Sequence, residues 1–99
     1  LKEIYRTLKP GGTFMMLEGD GTGNVYTDKI KFGYNAIFGY AVSVLACLQF
    51  GSQSEDALCL GTMWGSERGV RMLRECGFDD VKIAETPFLD MEILYICHK

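Results

Sequence analysis

The stretch Leu8-Lys9-Pro10-Gly11-Gly12-Thr13-Phe14-Met15-Met16-Leu17-Glu18 holds a helix end, a sharp turn and a strand, and the rest of the chain is arranged around that strand. Pro10 has no N–H and clashes with the preceding turn, so a helix cannot run through it. Gly11-Gly12 tolerates the positive φ that a helix stop requires. A helix therefore ends near Lys9. Thr13 to Leu17 is apolar on both alternating sets of positions, which predicts a strand covered on both faces in a parallel sheet. The loop Gly19-Asp20-Gly21-Thr22-Gly23-Asn24 follows at its carboxyl end, the edge where open α/β sheets bind ligands.

Upstream, Leu1, Ile4, Tyr5 and Leu8 recur at i, i+3, i+4 and i+7, an amphipathic stripe that would pack on the sheet. The chain opens on Leu1 in what reads as mid-helix, as a fragment of a longer protein would. Downstream, Val25 to Lys31 mixes charged and aromatic residues and predicts a helix start near Asp28. Residues 32–54 carry no formal charge, and Ile37 to Phe50 is mostly apolar. Asn35, Ser43, Gln49 and the glycines at 33, 39 and 51 cut this run below the length of a membrane span, leaving a helix or helix pair over a hydrophobic pocket. It has more apolar surface than one packing face needs, which suggests a second contact.

Gly51 to Ala57 is a polar loop. Ser66 is placed to cap a helix with Glu67 in its first turn and Val70, Leu73 and Cys76 facing inward. Gly77 ends that helix as a left-handed cap, with Phe78 folding back on Leu73. Asp80 to Glu85 alternates, as an edge strand does, and Thr86-Pro87 turns the chain. Ile93 to Cys97 is nearly continuous in apolar residues and so interior to the sheet. The short link makes the last two strands an antiparallel pair on an otherwise parallel α/β sheet.

A chain of 99 residues with a formal charge of −3 makes at most one small domain and has no basic stripe, so nucleic acid is not an expected partner. The four cysteines, Cys47, Cys59, Cys76 and Cys97, form no CxxC pair and accompany a single histidine. They read as reduced, core-facing thiols in a cytoplasmic protein that holds no metal. His98, the only histidine, is penultimate and expected to be exposed.

The LKPGG turn and apolar strand, followed by a helix ending in Leu73-Arg74-Glu75-Cys76-Gly77-Phe78, a strand and a reversed last strand, resemble the C-terminal half of a class I S-adenosylmethionine-dependent methyltransferase. Leu60-Gly61-Thr62-Met63-Trp64-Gly65, with Tyr40-Ala41-Val42-Ser43 and Cys47 upstream, is similar to a narrower group that carries a winged-helix-like N-terminal segment. The resemblance covers nearly all of residues 1–99 and implies the family's strands five, seven and six of a Rossmann-like sheet, in that spatial order. The resemblance further implies that strand seven is antiparallel and that covering helices flank the sheet. It implies a partial domain without the cofactor-binding half. S-adenosylmethionine would then belong to the longer parent and would not bind this segment.

Glu18-Gly19-Asp20-Gly21-Thr22-Gly23 imitates the family's glycine-rich cofactor loop and fails as one. A residue is missing between the acid and the first glycine. The acid expected about 20 positions on is absent from Gly39 to Leu45, and LKPGG belongs before strand five. Glu18 and Asp20 lie where an acceptor pocket would be, and a carboxylate there orients an acceptor or acts as a general base; a solvated acidic loop is the competing reading. Tyr26, Tyr34 and Tyr40 are candidate pocket walls or packing residues. Cys47 and Trp64 are further substrate-pocket candidates, with space filling and a packing anchor as their alternatives. The function implied for the parent is methyl transfer to an unknown acceptor; the competing class is a non-catalytic interaction or dimerisation module. No membrane association is expected, and self-association of the segment is.

Overall fold

In the computed structural model, which describes residues 1–99, helix α1 (Lys2–Thr7) stops just before Pro10. Gly12 N–H donates to the Lys9 carbonyl at 2.8 Å and Gly11 carries φ 76°. Lys9–Gly12 is therefore a turn with proline second and glycine third, the places that need a fixed negative φ and a positive one. Lys99 closes the same corner. Its backbone pairs with Gly11 and Gly12, and its Nζ donates to the carbonyls of Tyr5 (2.6 Å) and Leu8 (2.8 Å) at the end of α1. Those terminal carbonyls lack helical partners, so a cation is favourable there.

The chain divides into two compact units, Leu1–Glu18 with Ser66–Lys99, and Gly19–Gly65. The first is a small α/β unit. Its sheet contains β1 (Thr13–Gly19), β2 (Asp80–Glu85) and β3 (Glu92–His98) in the order β1-β3-β2. The last strand thus lies in the centre, as its apolar run predicts. It pairs antiparallel with β2, from Asp80↔His98 to Glu85↔Ile93, and Thr13 Oγ1 pairs with His98 Nδ1 at 3.1 Å across to β1. Every neighbouring pair in the sheet is antiparallel, as a reversed last strand between the other two requires; the parallel neighbour expected for β1 is not among these three strands. His98 is half-buried by that cross-strand pair, against the expectation of exposure.

One sheet face is covered. Ile93, Tyr95 and Cys97 of β3 bury against Leu73 and Phe78, with Phe14 and Met16 packed beside them. The opposite face of β1 is open, with Met15 65% and Leu17 49% exposed. The expectation that β1 is covered on both faces therefore fails. An apolar residue on each side of a strand shows that cover is tolerated, and neighbouring elements decide whether cover exists.

Helix α5 (Ser66–Glu75) supplies the other layer. Ser66 is already inside the helix and Gly65, at φ 94°, holds the position before it, so serine is not the cap. The opposite end matches expectation. Phe78 N–H donates to the Leu73 carbonyl (3.2 Å), Gly77 N–H to the Arg74 carbonyl (2.9 Å), and Gly77 has φ 110°. This pair of bonds defines a Schellman cap.

The second unit is helical. Asn24 accepts from the backbone N–H groups of Tyr26 and Thr27 and so starts α2 (Val25–Phe32), three residues before the expected position. Gly33, at φ 55°, breaks the helix and admits α3 (Tyr34–Val42). A π-helical turn (Ser43–Cys47) and the short α4 (Leu48–Phe50) continue the run. No helix is long and apolar enough to cross a membrane.

Candidate functional site

The early start of α2 places Asp28 one turn in, on its covered side, where the residue is fully buried. Its Oδ1 accepts the Thr22 backbone N–H at 2.8 Å, and its Oδ2 accepts the Tyr40 hydroxyl at 2.6 Å. Both oxygens act as acceptors, as an ionised carboxylate requires, and the first turn of a helix favours negative charge. A buried carboxylate costs several kcal/mol unless its oxygens are satisfied. Two hydrogen bonds and the helix end do this here.

Tyr40 responds to the same environment. Burial first, then the hydrogen bond to Asp28 and its negative charge, push the phenol up from its ordinary value of 10.0 to about 12. Tyr40 also lines a cleft of about 670 Å³ with Val25, Lys29, Tyr34, Ala36 and Ile37. That size falls among small-molecule sites, which run from roughly 300 to 1,000 Å³.

The π turn fixes the segment that follows it. Leu48 N–H bonds to the Ser43 carbonyl, an i to i+5 link that widens the helix. Ser43 Oγ accepts the Thr62 N–H at 3.0 Å, and Thr62 Oγ1 donates to Cys47 Sγ at 2.9 Å. Ser43 and Cys47, grouped with Leu60–Gly65 in the sequence, thus meet Thr62 in space. Gly61 has φ 69°, and a Cβ there would run into Ser43 Oγ.

The predicted site residues divide. Glu18 is half-buried at the end of β1 in the α/β unit. Asp20 is held by Lys31 Nζ at 2.7 Å, so a cation already neutralises it. Tyr26 is 77% exposed and is absent from the cleft wall, which takes Tyr34 and Tyr40 instead. Cys47 is half-buried with its sulfur occupied by Thr62, and Trp64 is half-buried. The cysteines are not uniformly core-facing: Cys97 is buried, Cys47 and Cys76 are intermediate and Cys59 is exposed. Burial and then the Asp80 charge raise the Cys97 thiol pKa.

Asp28 is the residue that sequence reasoning missed. It read only as a helix-start signal, because its partner lies twelve positions away beyond the Gly33 break. No group of three or more His, Cys, Asp or Glu side chains is placed to hold a metal ion. No family model matches the chain, and no curated protein matches it.

Proposed function

We propose that this chain is part of an S-adenosylmethionine-dependent methyltransferase and contributes the acceptor side of methyl transfer. The observation that carries the reading is the sheet order β1-β3-β2, with the C-terminal strand reversed between the other two and β1 entered through the LKPGG turn. The Schellman-capped helix before β2 supports it. The resemblance drawn from the sequence implies this arrangement for a Rossmann-like methyltransferase half.

The residues present do not fit the cofactor. A cradle would need glycines whose missing side chains leave room for a ligand. A Cβ on Gly19 would meet the Thr62 carbonyl at 2.9 Å, on Gly21 the Met63 Cα at 2.6 Å, and on Gly23 the Trp64 carbonyl at 3.3 Å. The space is filled by Thr62–Trp64 of the same chain. Methyl transfer draws much of its rate from alignment in a dry pocket. The role assigned to this segment is accordingly to bind and orient an acceptor.

Isothermal titration tests the reading. The 99-residue chain is expected to bind S-adenosylmethionine no more tightly than millimolar, and the longer natural polypeptide that contains it to bind at micromolar concentration. Micromolar binding by the short chain would restore the Glu18–Gly23 loop as a cofactor site. Absence of binding by the longer polypeptide would leave the second reading, a non-catalytic interaction module, which the open apolar face at Met15 and Leu17 favours.

A further inference from the structure

We infer that the cleft lined by α2 and α3 binds a small amphipathic molecule with an apolar, ring-sized body, a hydroxyl or amine hydrogen that is donated to Tyr40, and an anionic group that faces Lys29. The apolar part follows from the walls. Val25, Ala36 and Ile37 line the cleft, and Val25 and Ile37 remain 52% and 63% exposed, so a ligand would remove apolar surface that the chain leaves in water.

The polar part follows from hydrogen-bond bookkeeping. A phenol has one proton to give and lone pairs to receive. The Tyr40 proton is committed to Asp28 at 2.6 Å, and Asp28 is itself fixed by burial and by Thr22 N–H. Tyr40 therefore offers a ligand only acceptor capacity. The phenol is protonated throughout the neutral range even at its ordinary value of 10.0, and the upward shift widens that margin. Lys29 is the one cation on the wall, and unlike Lys31, which holds Asp20, it makes no ion pair. A carboxylate or comparable anion is its complement. Tyr34, 89% exposed, adds an aromatic ring at the rim.

Equating this molecule with the methyl acceptor rests on the methyltransferase reading; the binding itself does not. If the two coincide, transfer would form the O–CH3 bond as the sulfonium S–CH3 bond breaks and the thioether leaves, with the hydroxyl proton lost to solvent; the ether product has no hydrogen for Tyr40 to accept and would be held more weakly.

Fluorescence titration of the 99-residue chain with three probes tests the inference: 6-hydroxy-2-naphthoate, 6-methoxy-2-naphthoate, which lacks the donor, and 2-naphthol, which lacks the anion. The hydroxynaphthoate is expected to saturate and to bind about fivefold or more tighter than either analogue, the factor that one hydrogen bond or ion contact supplies. Tyr40→Phe should erase the hydroxyl preference alone, Lys29→Gln the carboxylate preference alone, and Ile37→Trp should fill the cleft and abolish binding of all three. The last two changes fall at exposed positions and leave the test intact if Tyr40→Phe unfolds. Non-saturating binding of the hydroxynaphthoate, retention of the hydroxyl preference by folded Tyr40→Phe, or parent-like binding by Ile37→Trp would overturn the inference. Such a failure would leave cofactor binding by the longer polypeptide unaffected, so the two readings fall separately.

Discussion

Gly77→Ala should be among the most damaging single-methyl changes in the chain, for two reasons that can be separated. At φ 110° any Cβ is strained, which costs about 1–2 kcal/mol. The new methyl would also lie 2.9 Å from two carbons of the Tyr5 ring. That ring stands edge-on to Phe78 at 5.0 Å, and Phe78 stacks on Phe14 at 5.8 Å, so it cannot retreat without disturbing the buried cluster. Overpacking of this kind adds about 1–3 kcal/mol. Less the few tenths to about 1 kcal/mol gained by stiffening the unfolded chain, the loss is about 1–4.5 kcal/mol. In a domain of this size that lowers Tm by roughly 5–35 °C. Gly11→Ala is the control, because Gly11 has φ 76° and nothing within 4 Å of its added Cβ. It should lose only the conformational part, about 1 kcal/mol and roughly 5 °C. Melting followed by circular dichroism compares the two. Equal losses would refute the ring clash, and a Gly77→Ala chain that melts with the parent would refute the left-handed cap itself.

Two further expectations follow. In an ultraviolet titration, the phenol ionisation that disappears in Tyr40→Phe should fall near pH 12. Because the folded-state pKa is raised, the stabilisation from the neutral phenol is fully present below pH 10 and is lost as the pH climbs toward 12; a Tyr40 phenol that titrated at its ordinary value of 10.0 would refute the Asp28–Tyr40 pair. Strand β1 has β3 on one side only and carries no charge or proline from Thr13 to Leu17, so its free backbone edge and its exposed Met15 and Leu17 should drive self-association at micromolar concentration. Light scattering that shows a single 11.1 kDa species across a wide concentration range would contradict this.

Local chemistry made several elements readable from the residues alone. Pro10 and Gly11 dictate where α1 stops, Gly77 and Phe78 where α5 stops, and the continuous apolar run from Ile93 to Cys97 puts β3 in the centre of its sheet. Each depends on backbone sterics or on a period that the chain carries within a few residues. The single-sided cover of β1 was not readable, because apolar side chains on both faces are compatible with one layer or two. The Asn24 cap was in principle legible but was outweighed by the charged cluster after it. Asp28 and Tyr40 belong to a different category. Each is ordinary in its own window, an acid in a first helical turn and an aromatic in an apolar helix. Only the break at Gly33 sets α3 beside α2 and brings carboxylate and phenol within 2.6 Å. Thr62, Ser43 and Cys47 meet for the same reason, through a π turn that no local propensity announces. The sequence determined where the chain stops, turns and hides its apolar faces, while the tertiary structure alone decided which polar groups share a buried site, since that depends on separations of 12 to 19 residues closing in space.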